Sequence, residues 1–242
     1  MKTKLEFENK IVNRFNVKYK EIDHLPRRES SGYSSFSKTW ATAVSIDIVG
    51  FKKMVDPSSN INMEQMVKIV QLFNEIVAEV AMSELFKHIF RDIYYVGDEV
   101  IVVFNSSTKE QINEAVDFAF YMNSLINTVL SKKLISLIPN LNYFKAGIGV
   151  WTSNDNTLVR SGKKGDLEYS SSTLIGTSIN YASKLSKMAN RYPYDNYPIL
   201  LSGLAKGNLY NTMDDIVSKH AQELNTNIGR IWGVNLIKTA YN

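Results

Sequence analysis

The sequence predicts an α+β fold, with helices laid over a mostly antiparallel sheet in the βαββαβ order of ferredoxin-like domains. Three observations carry this. Apolar residues recur at helical spacing in two long stretches, 61–82 and 109–130. Between them, apolar runs at 90–96 and 100–104 flank Gly97-Asp98-Glu99, a connector short enough for a β-hairpin. Further strand-like runs precede the first helix, at 39–51, and follow the second, at 144–151. Strand, helix, hairpin, helix, strand is the order such a sandwich requires.

In chain order, 1–38 reads as an N-terminal extension and 39–242 as a single domain. Leu5, Phe7, Ile11, Val12, Phe15 and Val17 give the extension a short amphipathic arm. His24–Lys38, rich in Ser and Arg and holding Pro26, reads as a loop or edge segment. Trp40, Ala41, Ala43, Val44, Ile46 and Ile48 then form a buried-strand run ended by Gly50. After a loop with Pro57 and Ser58, Asn60 or Asn62 is placed to cap the first long helix, whose apolar positions include Met66, Ile69, Phe73, Ile76, Val77 and Val80. The second long helix spaces Ile112, Val116, Phe120, Leu125 and Ile126. The polar, glycine-bearing segment 154–172 reads as a long hairpin arm, 176–190 as a third helix, and 198–202 and 234–238 as closing strands.

Composition narrows the chemistry. A chain of 242 residues, 44% hydrophobic and 21% charged, is long enough for one domain with extensions and a sizeable core. Without cysteine it has neither disulfides nor thiolate metal sites, so a metal must rest on carboxylates, carbonyls or imidazole, which favours a hard ion such as Mg²⁺ or Mn²⁺. His24, His88 and His220 show no ligand spacing. The charged first fifteen residues lack an apolar signal region, and no apolar window is long enough to span a membrane, so a cytoplasmic protein without a membrane partner is expected. The net charge of +4 is scattered, which fits a solvated surface better than a nucleic-acid groove. No G-x-x-x-x-G-K-[ST] or G-x-S-x-G pattern occurs, which disfavours a P-loop NTPase and an α/β hydrolase.

Two carboxylates stand out. Asp47 interrupts the apolar run Ala43–Val49, where a charge is costly unless paired or bound to a cation. Asp98 sits at the hairpin tip; alone, beside Gly97, it reads more readily as an ordinary turn residue. In a ferredoxin-like fold the first strand lies beside that hairpin, so the two carboxylates face one another across neighbouring strands. Divalent ions would relieve their repulsion, clamp a triphosphate and lower the pKa of an attacking hydroxyl.

Four motifs, in order from about residue 40 to 190, resemble those of the class III nucleotidyl cyclases. Ser45-Ile46-Asp47-Ile48-Val49-Gly50-Phe51 is similar to the first metal motif, and Val96-Gly97-Asp98-Glu99-Val100-Ile101-Val102-Val103-Phe104 to the second. Ala146-Gly147-Ile148-Gly149-Val150 resembles the family's GIG strand, and Gly176-Thr177-Ser178-Ile179-Asn180-Tyr181-Ala182-Ser183-Lys184-Leu185 its asparagine-bearing helix. The resemblance implies a βαββαβ cyclase domain acting as a head-to-tail homodimer with two shared sites. It implies two divalent cations, Mn²⁺ or Mg²⁺, on Asp47, Asp98 and the Ile48 carbonyl. It assigns the β and γ phosphates to the backbone of Ile48, Val49, Gly50 and Phe51, and the ribose to Asn180. Lys184 stands where the family usually has the arginine that stabilises the transferring phosphoryl, keeping the charge but losing the bidentate fork. Arg230 or Lys238 is a candidate for a further phosphate-contacting cation.

The departures bear on the base. At the two positions where purine cyclases of this family usually read adenine with lysine and aspartate, this chain has Tyr94 and Thr173. Tyrosine narrows the pocket, and a threonine hydroxyl can donate and accept to a smaller base. With the basic, glycine-bearing arm 157–165, this is similar to the bacterial pyrimidine cyclases of antiphage defence. That implies a lyase acting on UTP in preference to CTP, whose cyclic nucleotide activates a separate effector. An adenylate or guanylate cyclase with atypical base readers, and a cyclase-like domain that binds nucleotide without turnover, are the competing expectations.

Overall fold

A computed structural model describes residues 6, 8, 9, 12, 33–56, 59, 61–162 and 170–236. All of the arm's apolar residues but Val12, the proposed cap Asn60, the tip 163–169 of the hairpin arm and the candidate cation Lys238 lie outside the described residues.

The strands are β1 (Tyr33–Ile48), β2 (Phe90–Val96), β3 (Glu99–Asn105), β4 (Ala146–Gly162), β5 (Ser170–Gly176), β6 (Ile199–Ser202), β7 (Ala221–Thr226) and β8 (Gly229–Val234). The helices are α1 (Phe51–Met54), α2 (Met63–Ala81), α3 (Lys109–Leu125), α4 (Ser131–Leu137), α5 (Thr177–Met188), α6 (Gly203–Gly207) and α7 (Asn211–His220). A π-helical turn, Ile126–Leu130, joins α3 to α4. The strands make an eight-stranded sheet in the order β2-β3-β1-β4-β6-β8-β7, with β5 paired to the distal half of β4. Among the described residues, only the β4–β6 pairing is parallel. The α+β architecture and the place of the hairpin beside the first strand are as the sequence predicts.

Helix boundaries follow local chemistry. Asn62 caps α2 and Thr108 caps α3, each in a reciprocal box with the glutamine three residues on, Gln65 and Gln111. Both helices cover the same face of the sheet. There Val44, Ile46, Ile48, Val100, Val102, Phe104, Ile148 and Val150 pack against Ile69, Phe73, Ile76, Val116, Phe120 and their neighbours. Because strand side chains alternate, Ala43, Ser45 and Asp47 point to the opposite face, the one covered by α5. Asp47 is therefore not an intruder in the main core: its apolar sequence neighbours face the other way.

The contact between α5 and the sheet is unusually close. A Cβ placed on Gly149 would stand 2.1 Å from the Ala182 carbonyl oxygen, and one on Gly147 2.2 Å from that of Ser186. The helix backbone rests directly on β4, which explains why the glycines alternate on this strand. α5 runs antiparallel to β4. Its start is fixed at Asn156, whose Oδ1 accepts from Ser178 N at 3.1 Å and Ser178 Oγ at 2.6 Å, and its end lies over Gly147.

The structure corrects three expectations. The first strand begins at Tyr33, within the segment read as loop or edge, because 33–39 pair with the distal half of β4 and so gain backbone partners. The closing strand is Gly229–Val234 rather than 234–238; it forms a hairpin with β7, turned at Gly229 with φ +107°. The helices α6 and α7 fill a stretch for which no element was expected. No described helix is long and apolar enough to cross a membrane.

Gly149→Ala should destabilise the protein by about 1–3 kcal/mol or more, since the obstruction is backbone and cannot rotate away. Urea denaturation checks this; an unchanged midpoint would refute the close-packing account.

Candidate active site

Asp47 and Asp98 meet at one end of the sheet. Asp47 pairs with Glu99 across β1 and β3, and Ile48 N donates to the Asp98 carbonyl at 3.4 Å. The hairpin turns at Gly97, φ +65°, a conformation that favours glycine. Asp47 is 5% exposed. Burial, then the nearby Asp98 charge, pushes its carboxyl up to about 6, with Arg191 opposing. Asp98 is also raised, by burial and then by Glu99.

Sequence reasoning missed the side chains that balance these charges. Arg191, just beyond α5, donates from Nη2 to Asp47 Oδ2 at 2.5 Å and to the Ile48 carbonyl at 3.3 Å. Its Nη1 donates to the Ser186 carbonyl at 2.8 Å and the Ala189 carbonyl at 3.3 Å. Glu99, 2% exposed, accepts from Ser45 Oγ at 2.6 Å and pairs with Lys187 Nζ at 2.9 Å. Burial raises its pKa, but hydrogen bonds from Ser183, Ser45 and Lys187 outweigh that and hold it below the usual glutamate range. Glu99 could have been noticed as a second acidic residue beside an apolar strand. Arg191 had no signal, lying 144 positions from its partner.

Among the described residues no three His, Asp or Glu side chains gather as a metal cage. The donor set offered to a cation is two carboxylates, Asp47 and Asp98, and the Ile48 carbonyl. Oxygen-only donors this few suit Mg²⁺ or Mn²⁺, which complete their coordination with water and substrate phosphates. Of the four amides assigned to phosphate, Val49 N is committed to the Lys145 carbonyl at 2.9 Å and Ile48 N to Asp98. Gly50, at φ +76°, lies close under the Tyr143 hydroxyl, where a Cβ would approach to 2.5 Å. Its amide and that of Phe51 make no backbone hydrogen bond among the described residues.

Tyr94 reaches the backbone next to Thr173. The Tyr94 hydroxyl donates to Asp92 Oδ2 at 2.9 Å and accepts from Leu174 N at 2.8 Å, which ties β2 to β5 one residue from Thr173. Burial pushes its pKa up to about 12. Asn180 and Lys184 do not join Asp47. Both are exposed on the outer side of α5, whose inner side buries Ser178, Ala182, Leu185 and Ser186. Lys184 Nζ stands 4.6 Å over the Tyr181 ring, which stacks on Trp151 at 4.4 Å. Arg230 pairs with Glu223 at 2.8 Å, toward the end of β8 remote from Asp47.

Comparison with known structures decides the architecture. The adenylyl cyclase CyaB from Pseudomonas aeruginosa superposes with a TM-score of 0.62 at 16% identity, covering 85% of this chain and 98% of that one. The fold is that of a class III cyclase catalytic domain. A monomeric guanylyl cyclase domain of the RhoGC fusion protein from Blastocladiella emersonii gives 0.57 at 14% identity, over 85% of this chain and 99% of its own. In sequence, the chain is 27% identical to a uridylate cyclase from Treponema porcinum over 237 residues, 97% of this chain and 78% of that protein. No protein-family model matches.

Two outcomes are expected. Tyr94→Phe leaves Leu174 N and Asp92 short of a partner and should cost about 1–2 kcal/mol by urea denaturation. For Asp47, the folded pKa of about 6 lies above the ordinary 3.8. The folded protein thus holds the proton more tightly, and Asp47 favours folding less as pH rises through that window. Without divalent ions, wild type should lose stability relative to Asp47→Asn between about pH 4 and pH 7, by on the order of 1 kcal/mol after allowance for solvent screening. A gap independent of pH would refute the assignment.

Proposed function

We propose that this chain is a nucleotidyl cyclase, a phosphorus–oxygen lyase that converts a pyrimidine nucleoside triphosphate, UTP in preference to CTP, into its 3′,5′-cyclic monophosphate and pyrophosphate. The carrying observation is the meeting of Asp47 and Asp98 at the end of β1 beside the tight turn at Gly50, with the Asp98 charge felt at buried Asp47. The likeness to a uridylate cyclase over nearly the whole chain supports the substrate.

Two divalent cations on Asp47, Asp98 and the Ile48 carbonyl would polarise the ribose 3′-hydroxyl and neutralise the triphosphate. The Gly50 and Phe51 amides face the β and γ phosphates as a small anion nest. Asn180 orients the ribose, and Lys184, steadied over Tyr181, stabilises charge on the α-phosphoryl group. The 3′-oxygen bonds to the α-phosphorus, the α–β anhydride bond breaks, pyrophosphate leaves, and the hydroxyl proton is released. Tyr94, its hydroxyl spent within the fold, selects a pyrimidine by bulk, and Thr173 supplies the polar contact to the base.

Asn180 and Lys184 lie on the face of α5 turned away from Asp47. A second protomer, head to tail, supplies them to the site. The cyclic nucleotide then acts on a separate effector, a second messenger suited to antiphage defence in the cytoplasm.

Purified protein incubated with Mn²⁺ and each of ATP, GTP, CTP and UTP should yield cyclic UMP, with less cyclic CMP, by mass spectrometry. Cyclic AMP or GMP would overturn the base assignment, and no product would favour a domain that binds nucleotide without turnover. Asp47→Ala and Asp98→Ala should each reduce turnover by roughly 10³-fold or more. Mixing inactive Asp47→Ala with inactive Lys184→Ala should restore activity, because one site of the mixed dimer is intact; no recovery would count against the shared site.

A further inference from the structure

Arg191 occupies the position a divalent cation needs. Its Nη2 sits on Asp47 Oδ2 and the Ile48 carbonyl, two of the oxygens offered to metal. Its Nη1 is held separately, by the Ser186 and Ala189 carbonyls where α5 ends. The guanidinium is thus anchored at one edge by backbone that does not depend on Asp47, while its other edge rests on the carboxylate. Lys187 does not share this role, since it is committed to Glu99.

We propose that Arg191 is a tethered internal cation that neutralises Asp47 in the metal-free protein and is displaced from it when a divalent ion binds. This rests on the assignment of Asp47 and Asp98 as metal ligands. Without Arg191, two carboxylates that repel each other would face one another with no counter-charge on Asp47, a costly arrangement away from bulk water. With Arg191 in place the metal-free fold is stable, but an incoming ion must compete for oxygens already hydrogen-bonded to a cation. The backbone anchor at Nη1 keeps the displaced guanidinium close by, where its charge continues to oppose a second ion. Arg191 is a positioning residue: it sets how much divalent ion the site needs, and the triphosphate, with its own negative charge, assists the exchange.

The test is Mn²⁺ binding, measured by electron paramagnetic resonance of free Mn²⁺ on the full chain without nucleotide. Arg191→Gln should bind Mn²⁺ about tenfold more tightly than wild type, because the competing charge is gone. Arg191→Lys, which keeps the charge, should stay near wild type. Equal or weaker binding by Arg191→Gln would overturn the proposal. A second measurement on wild type avoids any folding defect: the Arg191 Nη2–H resonances, protected by the Asp47 pair, should be lost as Mg²⁺ saturates the site, while those of Nη1, on the Ser186 and Ala189 carbonyls, remain. Their persistence at saturation would equally overturn it. Asp47→Asn and Asp98→Asn separate this proposal from its premise. If both bind Mn²⁺ as wild type does, the metal site itself is misplaced. If both lose binding while Arg191→Gln is unchanged, only the role of Arg191 fails.

Discussion

The approach of α5 to β4 is the constraint on which the site depends. With no side chain at Gly147 or Gly149, the helix backbone lies against the strand, and the carbonyls of Ala182, Ser186 and Ala189 come within contact distance of the sheet. Two consequences follow. Ser186 reaches Ser45, with 2.7 Å between their hydroxyl oxygens. The chain leaving the helix then turns so that Arg191 bonds both the helix end and Asp47. A larger residue at either glycine would lift the helix and move the counter-charge away from the carboxylate it balances.

Charge at this end of the sheet is nearly matched. Asp47, Asp98 and Glu99 contribute three carboxylates, and Arg191 and Lys187 two cations, both from the end of α5 or just beyond it. The carboxylates differ in how fully they are satisfied. Glu99 is enclosed by hydroxyls and a lysine, and its pKa is depressed. Asp47 and Asp98 are raised, so they remain electrostatically uncomfortable. A group held in that condition gains most from an added cation. The first acidic residue of the Asp98-Glu99 pair thus stays poorly satisfied, while the second secures the helix.

The same helix separates the two halves of the proposed site. Its inner side is consumed by packing on β1 and β4, and its outer side presents Asn180 and Lys184 to solvent. A rigid helix cannot turn both sides toward one carboxylate pair. The proposed site, which uses both sets, would therefore draw them from two copies of the chain.

The sequence by itself determined the order of the central strands and long helices, the glycine-led hairpin, a cap at the first long helix and the two candidate aspartates, because these rest on local spacing, on motif order or on a residue type out of place in its surroundings. Asp47 was visible because a charge among apolar neighbours demands a partner, whereas Gly147 and Gly149 stood out only through the resemblance to a known glycine-bearing strand. Only the tertiary structure decided what that partner is. Arg191 reaches Asp47 through a helix laid across the sheet, a contact between residues 144 positions apart that no local pattern encodes. Nor did spacing show that the Tyr94 hydroxyl is already spent on Asp92 and Leu174, or that Asn180 and Lys184 face away from the carboxylates. Periodicity tells which side of an element is buried. What lies against that side is fixed by how whole elements pack.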